Sequence, residues 1–192
     1  MFHRDFTAEL FCSTAYHQGV ISVTMHEREN LLSVSDDGWL CIDTGNRPDI
    51  LHPIRFSFHY LEHTEDRVHY NVGCATTLPT TQRRGGIENG KLGYSVNAYV
   101  GFYGFTLTDK VLGISAPWYM LLDAQATTSF WKIEVLGEWD GSLESAEEMD
   151  IHMRDHSGRR IAAYRESTRY PEFLNVEKGE VLTFQLRNIS LL

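Results

Sequence analysis

The chain has 192 residues, and its 17 Lys or Arg against 26 Asp or Glu give a formal net charge of −9. This charge argues against binding to nucleic acid or to an anionic membrane surface, because both contacts require clustered Lys and Arg. Hydrophobic residues make up 42% and aromatic residues 12%, which is sufficient for a folded core, and the length predicts a single domain over residues 1–192.

The sequence shows no signal for export or membrane insertion. No apolar run reaches the length of about 18 residues that a membrane-spanning helix requires, and no apolar segment typical of a secretory signal follows Met1. The chain has three cysteines, Cys12, Cys41 and Cys74, and this odd number argues against a disulfide framework. They also lack the spacing of a zinc or redox motif, which favours buried thiols in a reducing compartment. We therefore expect a cytoplasmic or virion location.

The first half of the chain predicts strands separated by tight turns. Apolar and polar residues alternate in residues 20–26, which is the pattern of a strand with one buried face. Residues 31–35 and 39–43 flank an Asp-Gly pair, and this pair predicts a hairpin because glycine tolerates a positive φ.

The clearest predicted hairpin joins residues 54–60 to residues 68–74. Aromatic and aliphatic residues occupy every second position of both segments, so that one face is apolar. The register that we predict places His59 opposite His69 on the polar face and leaves residues 62–66 as the connection. On the apolar face it forms four pairs, Tyr60 with Val68, Phe58 with Tyr70, Phe56 with Val72 and Ile54 with Cys74.

A polar loop and an aromatic strand are predicted next. Residues 76–91 are rich in Gly, Thr and charged side chains, which predicts a long exposed loop. Residues 92–108 have large side chains at both odd and even positions, as in a strand covered on both faces. The second cover is either another element of the same chain or another chain, and our hypothesis is another chain. The predicted contact residues are Tyr94, Tyr99, Tyr103 and Phe105 of this strand, together with Arg83 and Arg84 of the loop.

The second half predicts further strands around an acidic run. Residues 118–124 and 128–139 have strand character, and residues 134–150 contain seven carboxylates and no Lys or Arg. Residues 142–156 fit either a helix or a strand. We expect a short helical turn near 142–148, followed by a hairpin that pairs Met153 with Ala162, Ile151 with Tyr164, and Asp155 with Arg160.

These elements together predict an all-β protein. Residues 181–189 alternate as a closing strand, and short strands separated by turns are typical of sandwiches and barrels. We predict an antiparallel β-sandwich or jelly roll with at most one or two short helices.

Histidines are the main candidates for catalytic chemistry. The predicted hairpin brings His59 and His69 together near His63, and such a group could bind zinc in a cupin-like, metal-dependent enzyme. His152 and His156 have the spacing of zinc-binding helices, but the glutamate that would act as general base is missing. Motifs for a nucleophilic serine or a nucleotide phosphate are also missing, so that we expect no metal, no cofactor and no enzymatic activity.

The leading functional hypothesis is a non-enzymatic structural or interaction module that forms a homo-oligomer or assembles with other chains. By analogy at the level of fold, a virion component such as a bacteriophage capsid-decoration or tail protein is its most concrete form. The first alternative is a carbohydrate-binding β-sandwich that stacks sugars on aromatic side chains, and the second is the metal-dependent enzyme. The candidate sugar-stacking residues are Tyr94, Tyr99, Tyr103 and Trp118.

Overall fold

The computed structural model describes residues 2–24, 38–45, 51–64, 67–76, 90–95, 97–103, 130–165 and 171–192, which form fourteen strands and one helix. The helix α1 spans Leu143–Ala146, which is too short to cross a membrane, and the described residues include no longer one. The strands are β1 Phe6–Cys12, β2 Gly19–Thr24, β3 Leu40–Asp43, β4 Leu51–Pro53, β5 Phe56–Thr64, β6 Arg67–Cys74, β7 Lys91–Tyr94, β8 Val100–Tyr103, β9 Trp131–Val135, β10 Ile151–Arg154, β11 Ala162–Tyr164, β12 Glu172–Asn175, β13 Glu180–Val181 and β14 Phe184–Leu191.

Six of these strands close into an antiparallel barrel. Around it, β1 pairs with β14, β14 with β10, β10 with β9, β9 with β6, β6 with β5, and β5 returns to β1. Closure is favourable because it removes unpaired sheet edges. The all-β class is confirmed, whereas a sandwich or jelly roll stays a prediction. Fully buried side chains fill the core, among them Phe6, Leu10, Phe56, Phe58, Tyr70, Trp131, Ile151, Phe184 and Leu186.

The remaining strands extend this barrel on two sides. Strand β2 continues from β1 and carries β3 and β4, while β12, β11 and β13 follow from β3. Strands β7 and β8 follow from β6, and Gly101 of β8 bridges to Trp39, the residue before β3. A Cβ at Gly101 would be 2.6 Å from the carbonyl oxygen of Gly38, so this close approach requires glycine.

The β5–β6 hairpin is present, but the predicted register is wrong by two residues. Phe58 lies opposite Val72, and Tyr60 lies opposite Tyr70. The apolar face is preserved up to Tyr60, because side chains alternate with a period of two and a two-residue shift leaves these residues on their predicted side. Beyond Tyr60 the register differs from the predicted one by three residues, and Val68 lies opposite His63. The shift accompanies a bulge at Leu61, which inserts an extra residue into β5 between Tyr60 and Glu62.

The single strand predicted in residues 92–108 is instead a hairpin as far as the structure describes it. Strand β7 pairs with β8, with Tyr94 opposite Val100. The turn places Ala98 at a φ of 66°, a left-handed conformation that side chains other than glycine seldom adopt. The alternation of apolar and polar residues changes phase at such a turn, and for this reason large side chains occur at both odd and even positions.

Several predictions lie outside the described residues, namely those for 31–35, 104–108, 118–124 and most of the loop at 76–91.

The region predicted as either helix or strand contains both. Ser142 caps α1 by accepting a hydrogen bond from the amide of Ser145 at 3.1 Å, and β10 follows. The predicted pairing of β10 with β11 is wrong, because β10 pairs along its whole length with β9, and β11 pairs with β12 and β13. The chain does turn back after β10, at the Arg154–Arg160 bridge and through a hydrogen bond from the amide of Ile161 to the carbonyl of Met153 at 3.0 Å. The partner of Asp155 is Arg159 rather than Arg160.

Candidate interaction cleft

A cleft of about 250 Å³ lies where the end of β10 meets the turn before β13. Pairing of Ala162 with Val181 closes its back, and the amides of Glu177 and Lys178 are fixed by donating hydrogen bonds to Oδ1 of Asn175, at 2.8 and 2.9 Å. Gly179 allows the turn to lie against β11, since a Cβ there would be 1.8 Å from the Ala163 carbonyl oxygen. We call this the cationic cleft, and its lining includes Arg154, Arg160, Ala162, Val176, Glu177, Lys178 and Val181.

One carboxylate serves both arginines of the cationic cleft. Arg154 donates to Oε2 of Glu134 from Nε at 2.7 Å and approaches the same oxygen with Nη2 at 2.6 Å. Nη2 of Arg160 is 3.8 Å from that oxygen, and its buried Nε has no hydrogen-bond partner among the described residues. The charge of Arg154 is therefore compensated, whereas the charge of Arg160 is largely not.

Lys178 adds a second positive charge at the rim of the cleft. Its ammonium group lies 5.6 Å from the centre of the Tyr164 ring, and the residue is exposed. The carboxylate of Glu177 also lines the cleft and lies 2.7 Å from Arg159, a guanidinium that it shares with the buried Asp155. Glu177 therefore offsets part of the positive charge, and the cleft keeps a small excess of cations in a chain whose net charge is −9.

Arg154 and Arg160 also shift the pKa values of neighbouring groups. Burial and, next in size, the charge of Arg160 lower the pKa of His152 below its ordinary value, despite the opposite effect of Glu134. Burial alone would raise the pKa of Glu134, but the hydrogen bond and charge of Arg154, with the charge of Arg160, lower it overall. Glu134 is therefore a carboxylate that already interacts with Arg154 and Arg160 of its own chain.

One wall of the cleft is held by a buried ion pair. Asp155 has no exposed surface and accepts hydrogen bonds from the amide and from Nε of Arg159, at 2.8 and 2.7 Å. The Arg159 guanidinium also lies 4.8 Å from the centre of the Tyr94 ring. With the bond to Glu177, these contacts fix the turn after β10 against both β7 and the turn before β13.

Exposed apolar residues adjoin the charges. Val181 lies on β13, the terminal strand of the sheet that the described residues form, and is 42% exposed. Tyr16 is 89% exposed in the turn after β1, which His17 joins to Glu180 of β13 by a hydrogen bond of 3.1 Å. An edge strand with exposed apolar and cationic residues is the kind of surface that contacts another chain.

His17 predicts a pH-dependent contribution to stability. Its ring hydrogen-bonds Glu172 at 2.7 Å and Glu180 at 3.1 Å. Partial burial lowers the pKa of His17, but the two carboxylates outweigh this and raise it above its ordinary value. The stabilisation is therefore complete below the unfolded-state pKa of about 6.5 and is lost as pH rises through the folded-state pKa.

Measurement of the free energy of unfolding against pH checks this expectation. The advantage of the wild type over His17→Gln should be largest below about pH 6 and should shrink as pH rises. His156→Gln, at an exposed histidine, is the matched control and should show no such trend. An advantage that grows with pH would contradict the assignment.

The predicted contact residues are only partly within the described chain. Tyr94 supports Arg159, and Tyr99 is 8% exposed and stacks on Trp39 of its own chain at 4.2 Å between ring centres. Tyr99 is thus covered by a residue of its own chain and not by a second chain. The side chain of Tyr103 and the whole of Phe105, Arg83 and Arg84 lie outside the described residues, so their role in an interface stays a prediction.

The structure does not bring the three candidate metal ligands together. His59 hydrogen-bonds Asp5 at 3.0 Å, and His63 hydrogen-bonds the Tyr60 hydroxyl at 3.0 Å. His69 is buried, contacts Glu62 at 3.1 Å and lies opposite it, so its predicted pairing with His59 is wrong. Within the described ranges no group of three or more His, Cys, Asp or Glu is placed to hold a metal.

The sequence analysis missed the cationic cleft. The predicted hairpin pairs Arg160 with Asp155 across the strands, and the sequence pattern indicates no role for Lys178. The available signals were the basic pair Arg159-Arg160 directly after Gly158 and the Lys178-Gly179 pair before the closing strand. Comparison of the chain with protein-family models, curated proteins and solved structures found no match.

Proposed function

We propose that this protein is a non-enzymatic interaction module that assembles with copies of itself or with other chains, and that the cationic cleft is its contact surface. The observation that carries the proposal is a pair of weakly compensated cations beside exposed Val181 on the terminal strand of the described sheet: Arg160, which lies 3.8 Å from a carboxylate oxygen that it shares with Arg154, and Lys178, which lies over the Tyr164 ring. Apolar area supplies affinity in such contacts, and uncompensated charge selects an acidic partner and speeds association.

The concrete form of this proposal is a structural component of a virion, such as a bacteriophage capsid-decoration or tail protein. Support comes from the antiparallel all-β architecture, which suits rigid assemblies, and is an analogy at the level of fold. The finer proposals of a sandwich or jelly roll, and of a cytoplasmic or virion location, belong to the same hypothesis. Tyr103, Phe105, Arg83 and Arg84 are its further candidate contacts.

Sedimentation velocity over a range of protein and salt concentrations tests the proposal. We expect species larger than one chain at low ionic strength that dissociate towards 1 M salt, where the screening length falls to about 3 Å. Arg160→Gln/Lys178→Gln should weaken association by about tenfold, if each rim charge contributes about 0.7 kcal/mol. The control Arg4→Gln/Lys91→Gln, at two exposed cations elsewhere, should leave it unchanged.

A wild-type chain that sediments as a monomer under all these conditions, and also beside the other chains of its natural source, would overturn the proposal. If neither salt nor the cleft substitutions weaken the association, the contact surface lies outside the cationic cleft.

The carbohydrate-binding alternative rests on one specific observation. Trp39 is partly exposed and stacks nearly parallel on Tyr99, with an interplanar angle of 11°. Sugar rings pack on exposed aromatic faces of this kind, so a glycan array compared between the wild type and Trp39→Ala would reveal such binding. The metal-dependent alternative has no convergent ligand set among the described residues, and about one tightly bound ion per chain in elemental analysis would restore it.

A further inference from the structure

The segment joining β9 to β10 is an acidic projection. Residues 136–150, which we call the acidic segment, contain no Lys or Arg. Glu138, Glu144 and Glu148 are exposed and form no ion pair with any described residue. Leu136 and Leu143 are each 37% exposed, so the same surface combines apolar and negative groups.

The acidic segment is held in a fixed shape. The amide of Ser142 donates to Oδ1 of Asp140 at 2.8 Å, which supports the start of α1. At its far end, Ser13 donates to Asp150 at 2.8 Å, and Glu147 accepts the amide of Ile189 at 2.8 Å. Because these contacts already order the segment, the segment loses little conformational entropy when a partner binds its exposed carboxylates.

The acidic segment lies at the opposite end of a strand ladder from the cationic cleft. Val135 pairs with Ile151 where the segment begins and ends, whereas Lys132 pairs with Arg154 at the cleft. Three strand steps separate the two ends, which is about 10 Å. The segment leaves the ladder in the direction away from the cleft, so a chain does not fill its own cleft with its own acidic segment.

We propose that the acidic segment of one copy docks in the cationic cleft of a second copy. This inference rests on the proposed function as an assembly module and names its partner. The two surfaces match in charge, with Glu138, Glu144 and Glu148 against Arg160 and Lys178. They also match in apolar character, with Leu136 and Leu143 against Val181. A head-to-tail contact of this kind repeats from copy to copy into a ring or a filament, whereas a reciprocal contact between the same two surfaces closes into a two-fold dimer.

A charge-swap experiment tests this pairing. The cleft variant is Arg160→Glu/Lys178→Glu, and the segment variant is Glu138→Lys/Glu148→Lys. Each variant alone sets like charges against each other, so each should sediment as a monomer and show at least a tenfold weaker association than the wild type. A 1:1 mixture should associate again, because every cleft then meets a segment of opposite charge.

Matched controls separate this effect from a general change in charge or folding. Arg4→Glu/Lys91→Glu changes the net charge by the same amount as the cleft variant, at exposed positions elsewhere, and should associate like the wild type. Circular dichroism and thermal melting should show that both swap variants are folded, and a variant that is not folded is replaced by its Gln counterpart.

The outcomes distinguish the inference from the proposed function. A wild type that associates while both swap variants associate equally well, or a mixture that stays monomeric, would overturn the head-to-tail docking and leave assembly through another surface. A wild type that binds other chains but never itself would overturn the inference alone.

Discussion

Replacement of Phe58 by alanine is expected to lower the free energy of unfolding by about 3–5 kcal/mol. Phe58 is fully buried where β1, β5 and β6 meet in the barrel. Its ring stacks on that of Phe6 at 4.6 Å and meets that of Tyr70 edge-on at 5.8 Å. Truncation removes the transfer free energy of the ring and leaves a cavity that three hydrogen-bonded strands cannot collapse to fill.

The neighbouring residue supplies the control for this measurement. His59 is on the opposite face of β5, half-exposed, and contacts Asp5 at 3.0 Å. His59→Ala should therefore destabilise by less than about 1 kcal/mol in the same denaturant titration, as surface substitutions do. Equal losses at the two positions would contradict the assignment of faces in this hairpin.

Replacement of Arg159 by leucine is expected to destabilise the fold by about 3 kcal/mol. Breaking a buried ion pair by removing one partner leaves the other charge uncompensated, which typically costs about 3–5 kcal/mol. We expect the lower end because Arg159 is one-third exposed and its amide would continue to donate to Asp155. Equilibrium unfolding in denaturant measures the loss.

Two further variants test the cause of that loss. Arg4→Leu is the same substitution at an exposed arginine and should change stability by less than about 0.5 kcal/mol. Asp155→Ala/Arg159→Leu removes both charges, so it should be more stable than Arg159→Leu alone. A double variant that is less stable than the single one would show that the buried carboxylate of Asp155 is not the source of the penalty.

The cationic cleft could not be derived from the sequence, because it depends on partners far apart in the chain. Glu134 compensates Arg154 and leaves Arg160 without a full counter-charge, and this difference arises from distances of 2.6 and 3.8 Å to one oxygen atom. The predicted partner of Arg160 was Asp155, yet Asp155 turned inward to Arg159. Tertiary packing decides which of several nearby charged residues form an ion pair, and the local sequence does not specify this packing.

Alternation of apolar and polar residues determined that this chain is built from antiparallel strands and which face of each main strand is buried. Phe58 and Tyr70 are on the buried face of one hairpin as predicted, although their register differs by two residues. A period of two specifies the face of a strand and excludes a register shift of one residue, but it specifies neither the partner strand nor a shift of two residues. The bulge at Leu61, the pairing of β10 with β9 and the closure of the barrel were decided by the tertiary structure, because long-range packing and hydrogen bonding choose among pairings that the local pattern makes equivalent.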